Sequence, residues 1–334
     1  MATYKAIKDL HIQSVSSDNA TLQLGDVWYN STLGKIRVGK TQAGAWATSN
    51  NMTTARGESA GAGTATAGIA MGGAILSGPT SALCELYDGS SWSEEADLTT
   101  ARDGGMSNIG TQTATLLCGG GPAAGQKDEV EQWNGSSWSE IQDLNVGRWA
   151  GGGSGTTTAA IIFGGGAPSE SPNQVAYNEE WNGTSWTEIT DMSRPAGKTW
   201  FGAAGDTSTA AIAFGGAPGN HDKSETWDGS SWTEGDNLNT GRRYPDGFGS
   251  SEACIGASGY VTNDVVKNTE EYNGTSWTEV ADLTTVGRFN SYSFGTTSAG
   301  VLAGGGGPPG TWSILANTEE WTGETVVAAN VTAS

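Results

Sequence analysis

Apolar positions along this chain come in short bursts. A segment such as AAIIF (159–163) runs into Gly-Gly. A polar loop follows, then an acidic-aromatic stretch, NEEW (178–181), a tight turn, and the alternating stretch SWTEI (185–189). Short apolar runs and period-two alternation, bounded by glycine and asparagine, predict short β-strands. The grouping recurs. The string aromatic, Asn/Asp, Gly, Ser/Thr, Ser, Trp, Ser/Thr, Glu starts at Tyr87, Trp133, Trp181, Trp227 and Tyr272.

The second aromatics of these strings are Trp92, Trp138, Trp186, Trp232 and Trp277, with Trp46 opening the series; the separations are 46, 46, 48, 46 and 45 residues. A repeat of that length with four short strands suits the blade of an all-β propeller. Asn-Gly or Asp-Gly at 88–89, 134–135, 182–183, 228–229 and 273–274 suits turns that need positive φ. A loop of two or of four residues has the same parity, so either places both aromatics on one sheet face, as a cross-strand or diagonal pair. The glycine-rich first strands, such as RWAGGGSG, belong where backbones crowd toward a central axis.

An arginine recurs once per unit, at Arg56, Arg102, Arg148, Arg194, Arg242 and Arg288, and so does an acid near the third-strand aromatic: Glu85, Glu131, Glu180, Glu225, Glu271 and Glu320. The expectation is a repeated Arg–Glu pair tying strands or adjacent units together; the alternative is an arginine ring holding an anion in a central channel. The last unit reads TEEWTGETVV, with Val326 where a second Trp would fall. The simplest closure pairs the Trp46 strand with the strand ending at Trp321, which removes an open sheet edge. That gives six blades. Seven would need a blade from 22–50, with 324–331 completing the sixth. Residues 1–42 form a leading arm with a hairpin in GDVWYNSTLGKIRV (25–38), and residues 43–334 form the propeller.

Composition sharpens this picture. The 334-residue chain has 52 glycines, 36% apolar residues and a formal net charge of -20. Counting glycine with the apolar residues restores a share normal for a packed domain, and fourteen tryptophans argue against a disordered acidic chain. With 36 acids against 16 bases, the chain lacks the basic stripe of a nucleic-acid binder and is unsuited to an anionic membrane surface. No apolar stretch reaches the length of a membrane span. Cys84, Cys118 and Cys254 match no zinc or redox spacing and are expected as reduced structural thiols. The Asn-x-Ser/Thr sequons at Asn134, Asn182 and Asn273 are explained by turn chemistry.

The loop between second and third strands varies from 11 to 16 residues, measured from the end of the Gly-Gly-type pair to the aromatic. It carries the residues that break the repeat: Tyr177, His221, Tyr260 and Trp312. Variable loops on a rigid scaffold are where recognition concentrates, so the face bearing the two-three and four-one loops is the expected recognition surface, with those four residues as binding candidates. Two histidines, His11 and His221, offer no metal pair, and no nucleophile elbow or P-loop is present. Recurring acid pairs such as Glu179–Glu180 suit a structural role better than a catalytic one. No catalytic residue, metal or cofactor is expected.

Gly-Gly ending the second strand, an aromatic in the third and Trp in the fourth resemble kelch repeats over about residues 44–323. More narrowly, TEEYNGTSWTEV (269–280) and GDVWYNSTLGKIRV are similar to strings in kelch-like tail-fibre and other virion structural proteins of marine bacteriophages. The resemblance implies a non-catalytic virion component made in the host cytoplasm, oligomeric within a particle. Its arm would join other virion proteins, and its propeller would serve attachment to a host-surface glycan or protein, or decoration. A cellular kelch-type interaction scaffold and a lectin-like carbohydrate-binding propeller are the alternatives.

Overall fold

The computed structural model describes residues 12–331, apart from 59, 76–79, 107, 122–126, 168–173, 194–198, 263 and 309–312. Arg194, Trp312 and His11 therefore lie outside the described residues. The chain divides into two compact units: Met1–Gly44 with Gly323–Ser334, and Ala45–Thr322.

The larger unit holds six four-stranded antiparallel sheets among the described residues. Five are built from consecutive stretches of chain. The sixth comprises Tyr292–Thr296, Ala299–Ala303, Thr318–Thr322 and, from the far end of the unit, Ala45–Ser49. Trp46 sits directly opposite Trp321 in that last pairing. The innermost strands follow one another around a ring, and Tyr292–Thr296 returns to lie beside Ala60–Thr64 of the first sheet. The unit is a β-propeller, closed by the Trp46 strand.

Each sheet carries the expected aromatic pair, and the two rings are directly opposite in register. Centroids lie 4.9 Å apart for Tyr87–Trp92 and 5.6 Å apart for Trp227–Trp232, with the other four pairs between. Of the two admissible loops, the chain uses the longer: Asp88 N–H donates to Ser91 O, and the Asp88 carboxylate accepts from the Ser90 and Ser91 N–H groups. This side-chain clasp is why Asp or Asn precedes the glycine, and Gly89 takes φ +90.

Glycine elsewhere marks close approach between sheets. A Cβ at Gly68 would lie 2.1 Å from the Phe294 ring of the neighbouring sheet, and one at Gly300 would lie 2.1 Å from Phe248. The phenyl ring occupies the space a side chain would need.

The five repeat arginines among the described residues are fully buried and paired. Arg56–Glu85 (3.1 Å), Arg102–Glu131 (2.5 Å), Arg148–Glu179 (2.6 Å), Arg242–Glu270 and Arg288–Glu319 (3.0 Å) all have zero side-chain exposure. Three expected acids need correction. In the third, fifth and sixth sheets the partner is Glu179, Glu270 or Glu319, not Glu180, Glu271 or Glu320. Strand parity is the reason: the acid two before the aromatic shares its buried face, while the acid one before points to the other. Glu320 instead accepts from the Tyr87 hydroxyl of the first sheet. Each carboxylate also accepts from a backbone N–H in the loop entering its sheet: Thr53, Thr99, Asn145, Ser193, Asn239 and Thr284 donate to Glu85, Glu131, Glu179, Glu225, Glu270 and Glu319. The guanidinium donates to carbonyls of its own sheet, as Arg102 does to Gly119 and Glu129. These arginines are committed to structure and form no channel-lining anion ring.

The smaller unit is a four-stranded sheet. Gln13–Val15 pairs parallel with Val27–Asn30, which forms the expected hairpin with Lys35–Gln42, and Thr325–Asn330 completes the sheet along the other side of Lys35–Gln42. The last strand groups with residues of the leading arm, pairing with Lys35–Gln42. Asp18 organises this unit, accepting from Trp28 Nε1, Asn30 Nδ2 and Arg37. These donors, the Asn30 amide foremost, hold its carboxyl below the usual range. The three cysteines are free and buried.

Breaking one buried pair leaves an uncompensated charge. Glu131→Ala is expected to cost about 3–5 kcal/mol, read as the shift in denaturant-unfolding free energy, and the double variant Arg102→Met/Glu131→Leu is expected to cost less than the single one. In the same assay Gly300→Ala is expected to cost about 1–3 kcal/mol through collision with Phe248.

Candidate functional site

Two residues beyond each described arginine, the backbone turns left-handed. Glu58, Gly104, Ala150, Tyr244 and Asn290 take φ between +52 and +63, and Trp200 in the fourth sheet does the same at +53. At five of these six positions the N–H donates to the preceding sheet. Glu58 N donates to Asn290 O (2.9 Å), Gly104 N to Glu58 O (2.5 Å), Ala150 N to Gly104 O (2.8 Å), Trp200 N to Ala150 O (2.9 Å) and Tyr244 N to Trp200 O (2.7 Å). These five bonds form a girdle around one end of the central axis, and between the fifth and sixth sheets Ser291 N–H donates to Asp246 Oδ1. Left-handed backbone is strained for non-glycine residues, and the girdle is what holds it.

The side chains at and beside the girdle are the ones that break the repeat. Trp149 and Trp200 meet edge to face at 5.1 Å, as do Trp200 and Tyr244 at 5.2 Å and Tyr260 and Phe289 at 6.1 Å, while Tyr244 and Phe289 meet at a tilt at 5.5 Å. The Arg243 guanidinium lies 4.6 Å from the Tyr260 ring centre and 5.5 Å from that of Tyr244, within cation–π range. On the other side of the mouth stand Glu58 and Asp103. Burial raises the Glu58 carboxyl, and the Asp103 charge raises it further; burial also raises Asp103. The third to sixth sheets therefore give the mouth aromatic side chains with one cation, and the first and second give it acids.

Inside the girdle lies a small cavity of about 90 Å³, open to solvent, lined by Glu58, Asn108, Trp200, Asp246, Asn290, Ser291, Ser293 and several glycines. Asp246 is only 5% exposed. Its Oδ1 accepts from Ser291 N–H at 2.8 Å, and the Ser291 side chain beside it also favours the charged carboxylate. Burial pushes the Asp246 carboxyl up to about 7.

Of the four loop residues expected to bind, the structure brings one to this mouth. Tyr260 joins the aromatic arc, but at 8% exposure it is buried beneath Arg243 and is no free stacking platform. The Tyr177 carbonyl accepts from Arg148 NH1, and the His221 carbonyl accepts from Arg242 N–H; neither residue lines the cavity. Trp312 lies outside the described residues. Trp149, Trp200, Arg243, Tyr244, Phe289, Glu58, Asp103 and Asp246 escaped the sequence reading. Their signal was present as aromatic and charged residues directly after the repeated arginines, where an all-structural repeat would keep small residues. The described residues contain no cluster of three or more His, Cys, Asp or Glu able to hold a metal ion.

No protein-family model matches this sequence, and no curated protein matches it. A solved structure titled "Structure of YjhT" is similar in fold, with a TM-score of 0.66 and 12% sequence identity, covering 83% of this chain and 99% of that chain. Likeness at that identity concerns the fold alone.

Because the folded Asp246 carboxyl titrates near 7, above the 3.8 of an ordinary aspartate, folding favours its protonated form. That stability is fully present below about pH 4 and is lost as pH rises through about 7, a loss on the order of 4 kcal/mol. Asp246→Asn is expected to remove this fall, seen by comparing unfolding free energies of the two proteins at acid and neutral pH.

Proposed function

We propose that this chain is a non-catalytic virion protein of a bacteriophage: a six-bladed kelch-like propeller displayed on a tail fibre or another exposed component, serving host attachment or decoration. The observation that carries the reading is the surface of the small terminal unit. Among the described residues, seven of the eight exposed large hydrophobics fall there: Ile12, Leu24, Val27, Tyr29, Leu33, Ile36 and Val331. Val27 and Tyr29 alternate with buried Trp28 and Asn30, and Tyr29 lies directly opposite Ile36, so one sheet face gathers exposed apolar side chains. Such a face marks a contact surface, and it suits anchoring to other virion proteins. Loss of one cellular partner would leave that face open; burial in a particle would cover it permanently.

The resemblance of TEEYNGTSWTEV (269–280) and GDVWYNSTLGKIRV (25–38) to phage virion proteins supports the same reading. So does the charge of -20, which keeps a densely displayed propeller soluble. The aromatic and acidic mouth of the propeller is the surface offered to the host. The paired carboxylates that recur from sheet to sheet are consumed by arginines and backbone amides, which supports a binding role over a catalytic one.

The test is the composition of purified particles. Mass spectrometry of gradient-purified virions is expected to find this chain at a fixed stoichiometry, and antibody to the propeller is expected to label the particle surface in electron micrographs. A chain present in infected-cell lysate and absent from particles would overturn the assignment. Replacing Tyr29 and Ile36 together by Asp is expected to leave a folded protein that is lost from particles.

A further inference from the structure

The small terminal unit is a sheet with two unlike faces. Side chains alternate along Val27–Asn30 and Lys35–Gln42, and the register sets Trp28 opposite Arg37 on one face and Tyr29 opposite Ile36 on the other. The first face is covered by the unit's own chain. Asp18 holds Trp28, Asn30 and Arg37 there. The chain at Gln23 passes so close over Gly39 that a Cβ on Gly39 would lie 2.1 Å from the Gln23 carbonyl oxygen. The second face gathers Val27, Tyr29, Ile36, Val38, Val327 and Ala329 from three adjoining strands. Val27, Tyr29 and Ile36 are exposed, and the other three are half-buried. A sheet with an apolar face needs a second layer against it, and a small unit gains the most from one.

Charge narrows the choice of that layer. The terminal unit has five of the chain's sixteen bases and four of its thirty-six acids, a net +1, while the propeller has eleven bases against thirty-two acids, a net -21. Among the described residues of these strands, Lys40, opposite Val327, is the one charged side chain on the apolar face. Such a face offers no charge pattern with which to select a foreign partner. It calls for an apolar surface free of carboxylates, since a carboxylate set against Val27, Tyr29 and Ile36 would lose its water without pairing. Among the described residues the propeller has a single exposed large hydrophobic, Val286, and supplies no such surface. The same face on another copy does.

We propose that this face pairs with the same face of a second copy of the chain, the two sheets stacking about a two-fold axis with Tyr29, Ile36 and Val38 of both copies in the interface. Isologous pairing needs one self-complementary patch and nothing more, and stacked sheets bury their inner faces against each other. The proposal rests on the reading of this face as a contact surface and names its neighbour: the pair is what the other virion proteins receive. The driving force is apolar burial at the terminal units. The opposing force is repulsion between two propellers of net -21 each, which salt screens over about 8 Å at physiological strength. The sign of the salt response is thereby fixed. Pairing by stacked apolar faces strengthens with salt, whereas docking of the terminal unit's lysines on an acidic propeller would weaken.

The experiment is sedimentation equilibrium of the recombinant full chain with no phage component present. A dimer is expected at micromolar concentration, tightening severalfold between about 50 mM and about 500 mM sodium chloride. Tyr29→Asp/Ile36→Asp is expected to weaken it by about a hundredfold or more, because four carboxylates would be buried together. If that variant fails to fold, Val27→Lys, expected to weaken the dimer by about tenfold or more, takes its place. A lysine-reactive cross-linker applied to a mixture of isotope-labelled and unlabelled chains is expected to join Lys40 of one copy to Lys35 or Lys40 of the other. A monomer under all these conditions would overturn the proposal and leave the face to a foreign protein. Dimers loosened by salt, dimers untouched by the folded variant, or cross-links running from Lys40 to propeller lysines would equally overturn it. None of these results bears on whether the chain is found in purified particles, so failure here and failure of the virion reading are told apart.

Discussion

The buried guanidinium–carboxylate pair is the interaction from which the rest of the propeller follows. Each described arginine sits in the loop that enters a sheet and donates to carbonyls of that sheet, while the partner glutamate takes N–H groups from the same loop. The loop is thereby fixed at both ends of a single charge pair. Two residues later the chain turns left-handed and reaches across to the previous sheet. Charge pair, loop and girdle form one sequence of causes, and the mouth of the cavity is where it ends. A buried pair of this kind adds little net stability over a hydrophobic replacement. What it supplies is position, because an unpaired member is intolerable and only one arrangement pairs them all.

The second constraint is crowding. Innermost strands converge, so the sheets leave room for few large side chains near the axis. Phe248 and Phe294 fill the gaps by lying over Gly300 and Gly68 of the adjacent sheet. Farther out, where the sheets diverge, the opposed aromatic pairs and their neighbours take over as filler. Glycine abundance and tryptophan abundance are thus two sides of one radial geometry: narrow inside, wide outside.

Much of this was legible in the chain. Strand parity announced the aromatic pairs, Asn-Gly and Asp-Gly announced the turns, and the unpaired Trp46 announced the closing strand. Glu179, Glu270 and Glu319 were misassigned by one residue because two adjacent acids look alike until the burial face is known. The mouth was not legible. Trp149, Trp200, Tyr244 and Phe289 are separated by 40 residues or more, and the circular closure alone brings them within ring contact. Of the loop residues that break the repeat, Tyr260 joins the aromatic arc at the mouth, while Tyr177 and His221 offer their carbonyls to buried arginines.

A repeat protein separates what every unit must do from what one unit may do alone. The arginines, the glutamates two before the aromatic and the ring pairs recur, and a change at any one of them disturbs a local structure that its equivalents cannot replace. The girdle and its neighbours obey the backbone rule while their side chains differ from sheet to sheet: Glu58, Gly104, Ala150, Trp200, Tyr244 and Asn290 share a conformation and no chemistry. A ring with uniform backbone and varied side chains is an asymmetric surface on a symmetric frame. Asp246 is the sharpest case, a buried carboxylate where the other sheets carry uncharged residues. Its Oδ1 takes the Ser291 N–H of the sixth sheet, so a side chain joins these two sheets where main-chain carbonyls join the others.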